Sequence, residues 1–240
     1  MIEKHLLKYH HLGIPTTEER AGEVYRPELQ YSVYQGTNND YGVEWVRFDD
    51  GADYPDMLKE YAHVTFEVDS LEEAIEGEEL LVAPRQEAPG VRSAYITLLE
   101  APVKFVEIDY AIADDSEKNP VVKSGKNLKY HHTGMPCDKT FENEEKRPAL
   151  KLAYLPGKLN NYGVEWLRFY EGNENPDIIK YIPHVAFEVE DIDQAIVGEK
   201  VIYHSGRSYP GIVVAMVEVD GASIEFLELD RSIVGDEFDA

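Results

Sequence analysis

Two histidines and two glutamates, His132, Glu165, His184 and Glu225, lie in the second half of the chain on segments that read as strands: KYHHTGMP, YGVEWLRF, HVAFEV and SIEFLELD. Imidazole nitrogen with carboxylate oxygen suits one divalent Zn, Ni, Co, Mn or Fe(II) ion, and the absence of cysteine from the group argues against a structural zinc site. Side chains alternate along a strand, so Glu165 shares a face with Leu167 and Phe169, and Glu225 with Leu227 and Leu229. A carboxylate in an apolar row is costly unless it is paired, hydrogen-bonded or metal-bound. Taken singly, each residue has a plainer reading. A histidine at a strand start is commonly satisfied by local partners, and Glu165 could pair with Arg168 or a cross-strand lysine. Gathered on one concave face, the four together point to metal ligation.

The elements that must gather them are organised by a repeat. KYHHLGIP at Lys8–Pro15 stands over KYHHTGMP at Lys129–Pro136, an offset of 121 (129 − 8). The same offset carries Tyr41 onto Tyr162, His63 onto His184 and Glu107 onto Glu228, and about four positions in ten are identical from Lys8 to Asp109 without a gap. This is a tandem duplication of a domain-sized unit. The predicted domains are residues 1–112 and 128–240, joined by a polar linker over 113–127 that contains Pro120 and Gly125.

Each copy is strand-rich. In the first, YHHLGI, LQYSVYQ, YGVEWVRF, AHVTFEV, ELLVAPR, VRSAYITLL and VKFVEID read as strands. SLEEAIEGE reads as a helix with Ser70 as N-cap and Glu73 as its capping-box partner; Asp191 takes the cap position in the second copy. The stretch TTEERAGEVYRPEL has a helical period too weak to define a helix. The fold class is α+β: two tandem domains, each of paired βαβββ units forming a curved, mostly antiparallel sheet around a cleft.

Composition narrows the function classes. The chain has 47 acidic and 23 basic residues among 240, for a formal net charge of −24. Such a surface repels phosphate backbones and anionic headgroups, so nucleic-acid and membrane partners are disfavoured and a small-molecule substrate is expected. The single cysteine, Cys137, excludes an internal disulfide and suits a reducing compartment. With no secretory or membrane-spanning apolar run, the expectation is a cytoplasmic protein, monomer or homodimer.

HHTGMP, YGVEWLRF, PHVAFEV followed by DIDQAI, and DGASIEFLELD resemble the vicinal-oxygen-chelate superfamily, which includes glyoxalase I, methylmalonyl-CoA epimerase, antibiotic-resistance proteins and extradiol dioxygenases. The resemblance spans nearly the whole chain. It implies metal ligands on the first and last strands of the paired units, and His132, Glu165, His184 and Glu225 match the His-Glu-His-Glu set of the glyoxalase I type. It further implies a metal-dependent lyase or isomerase acting through an enediolate, with Glu225 or Glu165 as the catalytic base. The alternatives are an extradiol dioxygenase, which uses two histidines and one carboxylate, and a non-catalytic binding protein of the resistance type.

The first copy departs from this set. Its equivalents are His11, Glu44, His63 and Lys104 (225 − 121 = 104), and an ammonium cannot coordinate a metal. A degenerate site in which Lys104 neutralises Glu44 is expected. The set can close within one domain or by exchange of halves, and the short connection inside each copy favours closure within a domain. His10 and His131 are expected to face away from their neighbours as structural residues; His5 and His204 fit no pattern. Trp45 and Trp166 read as core or pocket wall. Arg26, Arg47, Arg147 and Arg168 could bind a substrate anion, although salt bridging to the many acids is the plainer role.

Overall fold

The computed structural model describes residues 7–36, 40–207 and 209–235. The chain divides into two units, Met1–Lys126 and Asn127–Ala240. In unit 1 the strands are β1 (Lys8–Pro15), β2 (Val24–Arg26), β3 (Tyr31–Tyr34), β4 (Val43–Phe48), β5 (His63–Glu67), β6 (Leu80–Ala88), β7 (Val91–Leu98) and β8 (Ala101–Ile108). They form one curled sheet in the order β2-β3-β4-β1-β5-β8-β7-β6. Each half starts with an inner strand, runs to the sheet edge and returns by an antiparallel meander. The returning strand therefore lies parallel to the first, as β4 does to β1 and β8 to β5. The halves join where β1 and β5 run antiparallel. The outer strand β6 is irregular, with three register shifts against β7.

Unit 2 repeats the plan with β9 (Lys129–Pro136), β10 (Glu145–Arg147), β11 (Leu152–Leu155), β12 (Val164–Phe169), β13 (His184–Glu188), β14 (Lys200–His204), β15 (Ile212–Val219) and β16 (Ala222–Leu229). Their order is β10-β11-β12-β9-β13-β16-β15-β14. The α+β class and the paired, mostly antiparallel halves are as expected.

Helices are short. α1 (Asp56–Glu60) and α4 (Asp177–Tyr181) were not foreseen; α1 carries the fully buried Leu58 onto the sheet. The stretch after β1 forms no α-helix, only β2 and a 3-10 turn over Pro27–Leu29. The expected capped helix is a single turn in each unit, α2 (Leu71–Ala74) and α5 (Ile192–Ala195). Ser70 accepts the Glu73 amide at 3.3 Å and Asp191 that of Gln194 at 3.1 Å. Glu107 and Glu228 turn away from the cleft and accept the first helical amides, Leu71 at 2.8 Å and Ile192 at 3.0 Å. Within 113–127, α3 (Pro120–Ser124) is capped by Asn119, whose Nδ2 donates to the Tyr9 carbonyl at 2.9 Å and to Glu67 at 3.1 Å. The last helix is α6 (Arg231–Val234). No helix among the described residues is long and apolar enough to cross a membrane.

The cleft faces of the two units differ. Unit 1 carries a buried cluster that includes Tyr31, Val33, Val46, Tyr54, Leu58 and Tyr95, and Tyr31 and Val33 line a pocket together with His11, Glu44 and Lys104. The equivalents of Tyr31, Val33 and Val46 in unit 2 are Leu152, Tyr154 and Leu167, and these are half-buried. Asn175 stands in the place of Tyr54.

Candidate metal centre

Four adjacent strands of unit 2, β12-β9-β13-β16, each contribute one of the expected ligands. Cross-strand register sets them level: Gly134 on β9 pairs with both Glu165 and His184, while Ala186 on β13 pairs with both His132 and Glu225. Alternation then points all four side chains into the cleft. His184 Nε2 lies 3.0 Å from Glu225 Oε2, and His132 Nε2 lies 3.4 Å from the same oxygen. One donor atom from each of His132, His184 and Glu225 lies within 4.8 Å of the others.

Neither ring nitrogen of the buried His184 has a hydrogen-bond partner, despite that 3.0 Å approach to Glu225. Donors bound at about 2.1 Å to one tetrahedral or octahedral ion would stand about 3.0–3.4 Å apart, which is the spacing of each imidazole from Glu225. The three residues fit a divalent metal. Burial would raise the Glu225 carboxyl, but the two imidazoles outweigh it and hold the group well below the usual carboxylate range.

Glu165 stands at one remove. Its Oε1 accepts the Gly157 amide at 3.1 Å, and its Oε2 is 3.7 Å from His132 Nε2. The structure thus brings three of the four expected ligands into a tight group and holds the fourth beside it. All four meet inside unit 2.

Two further residues build the site, and the sequence marks both only as part of the repeated HHxG. A Cβ on Gly134 would overlap the His184 ring, and one on Gly13 would overlap His63. Gly134 therefore makes the space in which His184 sits. Gly134→Ala is expected to displace that ring and weaken metal retention by at least about 10-fold, read by competition with a chromophoric chelator. The second residue is His131, whose Nδ1 lies 2.8 Å from His132 Nδ1; His10 and His11 make the same contact at 2.7 Å. The expectation that His131 and His10 face away from their neighbours is corrected. A bulge in each first strand interrupts alternation between Tyr130 and His132, and between Tyr9 and His11, and lets consecutive rings meet.

In unit 1 the equivalent positions make a different site. Lys104 Nζ donates to Glu87 at 2.7 Å, with both side chains buried, and Ser93 Oγ donates to the second Glu87 oxygen at 2.6 Å. Glu44 accepts from Gln35 Nε2 at 2.6 Å, and its other oxygen is 3.6 Å from His11 Nε2. The expectation that Lys104 neutralises Glu44 is corrected: its partner is Glu87, brought in by the irregular β6. Burial and then Lys104 push His63 down to about 3, and burial pushes His10 down to about 4 and His11 well below its ordinary value. Burial raises Glu44. Burial would depress Lys104, but Glu87 outweighs it and the ammonium titrates above its ordinary value.

The candidate anion-binding arginines are paired at 2.6 Å in three cases, Arg26 to Glu117, Arg147 to Glu145 and Arg168 to Glu144, and Arg47 pairs with Glu23. His204 Nδ1 accepts the Gly206 amide at 2.9 Å, and His5 lies outside the described residues. Trp45 and Trp166 are buried, Trp166 with Phe141 stacked at 5.8 Å between centroids.

No family model matches the chain, and no curated protein matches it. Among solved structures it is similar to a mutant 4-hydroxymandelate synthase from Streptomyces coelicolor, with 12% identity, 93% of this chain and 85% of that chain covered, and a TM-score of 0.41. A fusion of a xylose isomerase-like TIM barrel with a 4-hydroxyphenylpyruvate dioxygenase is similar with 11% identity, 97% of this chain and 46% of that longer chain covered, and a TM-score of 0.42. A hypothetical protein, BH1468 from Bacillus halodurans C-125, has 16% identity, covers 69% of this chain and 91% of its own, and has a TM-score of 0.20. Likeness this distant bears on neither activity nor substrate.

Proposed function

We propose that unit 2 is the metal centre of an enzyme acting on a small oxygenated molecule, with His132, His184 and Glu225 holding one divalent transition metal. The observation that carries this reading is the approach of one Glu225 oxygen to His184 Nε2 at 3.0 Å and to His132 Nε2 at 3.4 Å, with one donor atom of each residue within 4.8 Å of the others. With Glu165 held by the Gly157 amide, the set is two histidines and one carboxylate, the ligand type of non-haem Fe(II) oxygenases, and oxygenation of the substrate is the activity this set suits best. When bound, the metal would polarise substrate oxygens and, as Fe(II), would supply one-electron chemistry toward dioxygen. The half-buried Leu152, Tyr154 and Leu167 offer an apolar wall for the carbon skeleton.

One observation favours a second reading, a glyoxalase-type lyase or isomerase. Glu165 Oε2 is free of the Gly157 bond and lies 3.7 Å from His132 Nε2, where it could take a proton from a bound substrate or complete a fourth ligand.

Metal content per chain, measured by elemental mass spectrometry on protein purified without an affinity metal column, tests the common premise. About one equivalent is expected. Iron with catechol-dependent oxygen uptake supports the oxygenase; zinc, nickel or cobalt with turnover of α-oxoaldehyde–thiol adducts supports the lyase. A chain that retains none of these metals when each is offered is no metalloenzyme, and a small-molecule binder is left.

A further inference from the structure

Unit 1 reveals how the first metal-ligand position is prepared, because there the protons can be placed. His10 Nε2 faces the Glu117 carbonyl oxygen at 3.3 Å, and a carbonyl only accepts, so this nitrogen carries the hydrogen. In a neutral imidazole the other nitrogen is then an acceptor, so across the 2.7 Å contact His11 Nδ1 is the donor. His11 Nε2 is left as a lone pair, and it receives the Thr65 hydroxyl at 2.9 Å. One carbonyl thus sets two tautomers in series and delivers a lone pair into the cleft.

Unit 2 keeps the paired rings, with the bulge, the 2.8 Å Nδ1–Nδ1 contact and a near-perpendicular 74° between planes. It changes the last member: Ala186 stands in the place of Thr65 at the same register opposite the ligand histidine and brings no hydroxyl of its own. We propose that His131 is a positioning residue that accepts the Nδ1 hydrogen of His132 and so fixes the tautomer whose Nε2 lone pair faces Glu225 and His184. Outer partners of ligating histidines are commonly carboxylates, carbonyls or waters, and here the partner is a second imidazole. This inference rests on the metal-centre reading of unit 2.

The test compares zinc and cobalt dissociation constants, obtained by chelator competition, for the wild type, His131→Ala, His131→Asn and His10→Ala. Loss of the acceptor is expected to raise the constant about 10–100-fold. Asn offers a carbonyl oxygen close to the position of Nδ1 and is expected to restore most of the affinity. His10→Ala, which breaks the same pair in unit 1, is expected to leave it unchanged. A structural role alone would weaken both alanine variants in thermal unfolding without selective rescue by Asn. The proposal is overturned if His131→Ala binds as the wild type does, or if Asn binds no better than Ala. If the wild type binds no metal, the reading of unit 2 fails first. Nitrogen NMR of the His132 ring in Glu225→Ala, which removes the carboxylate that would draw the hydrogen to Nε2, then still decides the pair: an Nδ1-protonated ring that loses this preference when His131→Ala is added upholds it, and an Nε2-protonated ring in Glu225→Ala alone refutes it.

Discussion

Glu225→Ala is expected to empty the metal site while the protein stays folded. Structural zinc sites with four ligands bind with apparent free energies of about 10–16 kcal/mol, so one ligand is worth about 3–4 kcal/mol, or roughly 10²–10³-fold in affinity. Glu225 is also the only carboxylate in the converging group, and it lies within 3.4 Å of both ring nitrogens. Its removal leaves two imidazoles that can remain neutral, so no unpaired charge is buried and the β13–β16 pairing persists. His184→Ala is expected to behave alike. Elemental analysis after gel filtration checks both against the wild type. Unchanged metal content in both variants would remove the one-site account of unit 2.

Lys104→Ala is expected to do the converse, leaving metal content unchanged and destabilising unit 1 by about 3–5 kcal/mol, because Glu87 becomes a buried charge without its ammonium. The value should fall near the lower end, since Arg85 stands 3.8 Å from Glu87 and Ser93 still donates to it. A second change, Glu87→Ala, should restore part of the loss, since it removes the stranded carboxylate. Two units need not unfold as one transition, so the measurement is hydrogen exchange of the β6, β7 and β8 amides rather than a single melting curve. Metal lost to the same degree as in Glu225→Ala would show that Lys104 belongs to the metal site after all.

The contrast between these variants shows where the sequence is legible. The offset of 121 is enough to align His132 with His11 and to expose Lys104 as the odd member, because a repeat compares like positions without knowledge of their surroundings. Glu165 and Glu225 stand out because alternation on regular strands assigns a face to each residue. The same rule fails wherever the register slips. β6 shifts three times, so the parity of Glu87 says nothing about its direction, and the partner of Lys104 stays hidden. The bulge at His131 misleads in the same way, turning a ring that alternation sends to the far face onto its neighbour. Position 186 carries no chemistry of its own, and the effect of losing a hydroxyl there emerges only with His132 opposite. The ligand status of Glu165 depends on the loop that brings the Gly157 amide to it, which strand patterning cannot forecast.

The irregular outer strands have a consequence for how one chain can carry two closely related sheets. Covalent linkage keeps such sheets at millimolar effective concentration, and a straight, unpaired edge would invite one sheet to recruit strands from its sister. β2 and β10 are three residues long, and β10 reads Glu145, Lys146, Arg147. β6 carries Pro84 and Arg85 among its shifts, and β14 opens with Lys200 and slips once. Each of the four edges thus carries a feature, shortness, charge, proline or a register shift, that works against pairing with a further strand.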